Sequence, residues 1–272
     1  MFPVSCIPKG IPSARFVGAL DGLTTNLAGV WWIAKRLLSS YNGPLIRVRR
    51  SSDSTESDIG YDAAGNLDTA ALLAFCGAGD GCIRKVYGQL GTEGDIGQST
   101  AIIQPKIVSS GVLLTDGLYA CSHCPDGFGY ALDIPALSGS AMSIYMRGRS
   151  ISDPSSAAAV MQGIGSNVSL EYMPFTDSNV YIAWGSSFRK SCGNPTPSLA
   201  TSFLATCVSA ANNWRLRLNG TAIFNTATNT VGFGAAPKVH TKLSSGGNDW
   251  VGMVWYKAEH TSTQWTPLEA AL

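Results

Sequence analysis

Apolar positions follow a helical spacing in two short stretches near the start of the chain and alternate with polar ones over most of the second half. Residues 27–38, LAGVWWIAKRLL, put Val30, Trp31, Ala34, Leu37 and Leu38 on one broad face. That spacing predicts a short helix, with Asn26 as its N-cap and Ser39-Ser40-Tyr41-Asn42-Gly43-Pro44 ending it. Asp68 opens a second predicted helix over residues 69–75. Beyond residue 100 the pattern predicts strands at 101–103, 112–114, 141–146, 158–162, 169–173, 179–184, 202–209, 214–218, 221–225 and 250–256. Asn219-Gly220 lies between two alternating runs, and such a pair supplies the two positive-φ residues of a tight hairpin. Residues 265–272 read as a terminal helix with Pro267 at its first position.

Residues 1–26 have no period. Pro3, Pro8 and Pro12 interrupt them, and Phe2, Val4, Ile7, Ile11, Phe16 and Val17 share no face. They read as an extended N-terminal arm whose apolar residues await a partner surface, with residues 27–272 as a single β-sandwich domain. A chain of 272 residues can bury a sizeable core. Charged residues make up only 14%, and the 30 glycines suit many short strands joined by tight turns.

The formal net charge of +1 gives no global field to draw the chain toward nucleic acid or an anionic membrane. The apolar run at 27–33 falls far short of the roughly 20 residues that span a bilayer, so no membrane insertion is expected. Met1-Phe2-Pro3-Val4 lacks the basic start, apolar middle and small-residue cleavage site of a signal peptide. Neither a Walker loop nor a dinucleotide fingerprint is present, and no cofactor is expected. Cys121-Ser122-His123-Cys124 could form half of a zinc site, but His240 and His260 stand alone and supply no second pair. No metal is therefore expected.

The stretch from Leu45 to Gln98 joins an Arg-rich strand (Arg47, Arg49, Arg50), a Ser-Asp-rich loop to Asp53, a short helix, Cys76 and Cys82 around a glycine loop, and the turn Tyr87-Gly88-Gln89-Leu90-Gly91. This run resembles the opening of the catalytic domain of α-L-arabinofuranosidase B, and the matching segment of many bacteriophage structural proteins. The resemblance implies a mainly β, concanavalin-like or laminin-G-type jelly-roll sandwich with a few short helices. It also implies a Cys76–Cys82 disulfide, which the flexible loop Gly77-Ala78-Gly79-Asp80-Gly81 would allow. Two buried free thiols are the alternative. Cys192 and Cys207 could close a further loop.

In the resembling enzymes two carboxyls flank the scissile bond. Their nucleophile is a Glu on a strand, and Ser169-Leu170-Glu171-Tyr172-Met173 can be laid on it. Their acid is an Asp in a Gly-Gly-Asp turn. Here that turn reads Gly246-Gly247-Asn248-Asp249, with an amide at the acid's place. The adjacent Cys-Cys pair of the enzymes corresponds to Ala157-Ala158-Ala159-Val160. These departures lead to the expectation of a non-catalytic bacteriophage virion protein. It would be a head decoration or tail component, contacting other virion proteins, copies of itself and host-surface glycan. Trp184 and Trp250 are then the candidates for stacking on sugar. The alternative is an active glycoside hydrolase with Glu171 as nucleophile and Asp249 as acid. Arg47, Arg49 and Arg50 are expected to form ion pairs with Asp53, Glu56 and Asp58.

Overall fold

A computed structural model describes residues 16–124, 131–154, 158–166, 171–242 and 247–272. It is a mainly β sandwich with two short α-helices. One layer runs Leu27–Trp32, Asn248–Tyr256, Met142–Ser150, Phe203–Ala210, Asn213–Leu218 and Thr221–Thr226, each strand antiparallel to the next. The other layer contains Ala158–Gln162, Lys238–Lys242, Leu132–Asp133, Ile96–Gly97 and Gly81–Val86, and Gly81–Val86 also pairs with Ile46–Arg50 and Lys106–Ser109. Ser122–Cys124 bridges the layers, bonding to Lys106–Ser109 on one side and Asn248–Tyr256 on the other.

Two apolar clusters lie on opposite faces of the first layer. The inner one joins Trp31, Ile144, Met146, Trp250, Met253 and Trp255 to Val48, Ile83, Leu132, Val160 and Val239 of the second layer. The outer one gathers Val30, Trp32, Tyr145, Leu204, Val251 and Val254. It is roofed by Leu20, Leu37 and Leu38 and by Trp265 and Leu268 of the helix Ser262–Ala271. Every residue of Asn248–Tyr256 is buried.

This two-sided burial accounts for a departure from the predicted pattern. Residues 27–38 do not form a helix: Leu27–Trp32 is a strand paired with 252–256. Trp31 enters the inner cluster while Val30 and Trp32 enter the outer one, so the apolar run is unbroken and its period carries no information. Asn26 adopts φ 60° and starts no helix. The described part of the expected arm, residues 16–26, packs on its own sandwich: Leu20 is fully buried and its N–H donates to Leu37 O at 2.9 Å. Residues 1–15 lie outside the described residues.

Locally encoded features appear where expected. Asp68 accepts the Ala71 N–H at 2.9 Å and caps the helix Thr69–Cys76. Asn219 and Gly220 take φ of 47° and 78° in the hairpin between Asn213–Leu218 and Thr221–Thr226. The terminal helix starts earlier than expected. Thr261 and Gln264 form a capping box, and Pro267 sits inside the helix. Residues 101–103 make a 3-10 turn rather than a strand. Glu171 lies outside regular structure, and Tyr172 makes an isolated bridge to Tyr181.

The Cys76–Cys82 disulfide is not formed, and both residues are buried thiols. Cys76 belongs to the inner cluster, close against Gly81. Cys82 lies opposite Arg49 and Lys106 on neighbouring strands, on the other face of its own strand. Cys192 and Cys207 are likewise free. Of the expected ion pairs, Arg47 meets Asp58 at 2.7 Å and Arg50 meets Asp53 at 2.6 Å. Arg49 instead donates to Gln104 Oε1 at 2.8 Å, and Glu56 pairs with Arg84 at 3.7 Å.

Candidate active site

Glu171 is fully buried in the sandwich. The chain leaves the strand Ala158–Gln162 through Gly163, whose φ of 73° favours glycine, and the Gly163 N–H donates to Glu171 Oε2 at 2.8 Å. On the other side the Ala183 N–H donates to Oε1 at 2.7 Å. Burial raises the carboxyl against the opposing pull of these two amides, to about 7. The group therefore changes charge near neutrality, the range in which a carboxyl can serve as acid, base or nucleophile. The thiol of Cys207 lies nearby and is pushed well up, by burial first and then by Cys192 and Glu171.

Trp184 follows Ala183 but presents no ring face to solvent, since it is fully buried, as is Trp250. The Trp184 carbonyl accepts from Trp214 Nε1 at 2.9 Å and from Cys207 Sγ at 3.7 Å. Both tryptophans fill the inner cluster.

Asn248 and Asp249 point to opposite faces of their strand. Asn248 stands opposite Ser150 and Cys124, next along the strand from Trp250 on the inner face. Asp249 stands opposite Arg149 and His123 on the outer face. Its Oδ1 lies 2.6 Å from His123 Nδ1, and its Oδ2 accepts Arg149 Nε at 2.8 Å and Nη2 at 2.5 Å. Both oxygens of this buried carboxylate are thus committed, and they belong to a different network from that of Glu171. Sequence reasoning missed this set. Asp249 lies 126 residues from His123 and 100 from Arg149, so nothing local signals the contact. Among the described residues no cluster of three or more His, Cys, Asp or Glu is placed to hold a metal ion. Ala157 lies outside the described residues, and Val160 is part of the inner cluster.

Comparisons with known proteins find a likeness to α-L-arabinofuranosidases in part of the sequence and in the fold. The family model for the catalytic domain of α-L-arabinofuranosidase B matches residues 24–111. An α-L-arabinofuranosidase B of Emericella nidulans is 41% identical over 66 residues, which span 24% of this chain and 13% of that protein. Two solved structures share the fold with a TM-score of 0.68 and 14% identity. One is a variant of a GH54 α-L-arabinofuranosidase soaked with 4-nitrophenyl α-L-arabinofuranoside, and the other an arabinofuranosidase complexed with arabinofuranosyl-α-1,2-xylobiose. In each case the alignment covers 94% of this chain and 64% of the other. The matched segment 24–111 ends before Glu171, Asn248 and Asp249.

These matches correct the expectation of a non-catalytic virion module. The relatives are arabinofuranosidases, and they favour the glycoside hydrolase alternative.

Proposed function

We propose that this chain is the catalytic-type sandwich of a furanoside-acting glycoside hydrolase, and that Glu171 is the carboxyl that works at the anomeric carbon. The observation that carries this reading is the seating of Glu171, with one backbone amide on each oxygen and a protonation range near neutrality. The similarity to arabinofuranosidases in fold and in the 24–111 segment supports the furanoside class.

The two amides fix the carboxyl plane and leave the remaining lone pairs for a substrate carbon or a water. Because the carboxyl is closed from solvent, a furanoside reaches it only by displacing part of its cover, which couples binding to opening. Ionised, Glu171 acts as the nucleophile of a retaining displacement. Asp249 does not supply the acid, since Arg149 and His123 hold both its oxygens on the outer face. Asn248, on the inner face, has no carboxyl proton to give. Leaving groups that depart without protonation are therefore the favoured substrates.

The test is incubation with 4-nitrophenyl α-L-arabinofuranoside. The wild-type chain releases 4-nitrophenol, and Glu171→Gln reduces release to background while keeping the wild-type circular dichroism spectrum. Background release by the wild type, or undiminished release by Glu171→Gln, overturns the proposal.

A further inference from the structure

A cavity of about 270 Å³ opens beside the helix Ser262–Ala271, on the outer-cluster side of the first layer. Tyr256, His260 and Leu268, all more than nine-tenths buried, form its floor. Leu23, Thr25 and Gln264 form its rim.

The histidine is rigidly oriented. The His260 backbone N–H donates to Ser143 Oγ at 3.0 Å, and that hydroxyl donates to Ala258 O at 2.8 Å. The His260 Nδ1 lies 2.7 Å from the Tyr145 hydroxyl, and the Tyr145 and Tyr256 rings pack against the imidazole with centroids 5.8 and 4.4 Å away. The Tyr145 hydroxyl has no other partner among the described residues, so its hydrogen goes to Nδ1. The ring hydrogen then sits on Nε2, which has no partner among the described residues. Burial pushes His260 down to about 4, so the ring is neutral at pH 7.

At the rim, Gln264 accepts the Thr261 N–H on Oε1 at 2.9 Å, and its amide NH2 has no partner among the described residues. Thr25 adds a hydroxyl. No Asp, Glu, Lys or Arg lines the space. Uncharged donors beside an aromatic ring and leucine side chains suit a neutral polyhydroxylated ligand. They offer nothing to balance an anion or a cation. The volume lies just below the range of drug-sized pockets, which start at about 300 Å³, and so matches a single small ring.

The geometry points to a non-catalytic binding site for one neutral sugar residue at His260, accepting the Nε2–H through a ring or hydroxyl oxygen. It is a different site from that of Glu171 and stands independently of any chemistry there.

Titration with L-arabinose, followed by the histidine ring resonances, tests it, with only three histidines to assign. The His260 signals shift saturably, and Glu171→Gln leaves the shift intact. Gly22→Leu abolishes it by filling the mouth of the cavity, at a position where a new Cβ meets nothing within 4 Å. Thr25→Val weakens binding by roughly tenfold through the loss of one hydrogen bond. No saturable shift in the wild type, or equal binding by Gly22→Leu, overturns the proposal.

Discussion

Arg149 and Asp249 face each other across adjacent strands, with Arg149 Nε 2.8 Å and Nη2 2.5 Å from the same carboxylate oxygen, Oδ2. The other oxygen meets His123, and the Asp249 side chain is fully buried. Removing one partner of a buried charge pair leaves the other uncompensated, at a cost of about 3–5 kcal/mol. Asp249→Asn is therefore expected to lose stability near the lower end of that range, because Arg149 is partly exposed. Urea denaturation measures it. A variant of wild-type stability that has lost glycosidase activity would instead make Asp249 the catalytic acid.

If Glu171 is the nucleophile it must be ionised, and its carboxyl is raised to about 7. The rate on 4-nitrophenyl α-L-arabinofuranoside, as kcat/KM, should then rise with pH through about 7 and level off above. A limb falling through the same range would assign Glu171 as the acid.

The same shift links stability to pH. Glu171 starts from an ordinary value of 4.5, and the folded state retains its proton up to about 7. Its contribution is full below the unfolded value and is lost as pH rises through the folded one, amounting to about 3 kcal/mol. The wild type should lose stability relative to Glu171→Gln between pH 4.5 and 7.5. Parallel stability curves for the two proteins would contradict this.

General acid catalysis contributes roughly 10²–10⁴-fold to a rate. With an amide at Asn248 in place of a carboxyl, methyl α-L-arabinofuranoside should be cleaved slower than the 4-nitrophenyl glycoside by at least that factor. Asn248→Asp should narrow the gap. Equal rates on both substrates would mean that another group donates the proton.

Trp250 is fully buried in the inner cluster, so Trp250→Ala should cost about 3–5 kcal/mol of stability. Thermal denaturation checks it. Unchanged stability with weakened sugar affinity would return Trp250 to a surface role.

What could be read from the chain was what short-range chemistry determines. The Asp68 cap needs only the amide three residues on, and the Asn219-Gly220 turn needs only its own backbone. Leu27–Trp32 was misread because a strand buried on both faces loses its alternation. Glu171 could be nominated from the resemblance, but its two amide donors could not. They come from Gly163, just past the strand Ala158–Gln162, and Ala183, just past the strand Tyr181–Ile182, on either side of it in sequence. Asp249 could be named as a carboxyl, yet its partners are set by strand register, which one residue's slip would have reversed.

The central strand Asn248–Tyr256 lies between Leu27–Trp32 and Met142–Ser150. A ribosome must therefore deliver more than two hundred residues before the earliest strand can find its neighbour. Until then Trp31 and Trp32 have no docking place in that layer, and the nascent polypeptide exposes them to chaperones and to other chains. Closure over so long a separation carries a loop-entropy cost that slows folding.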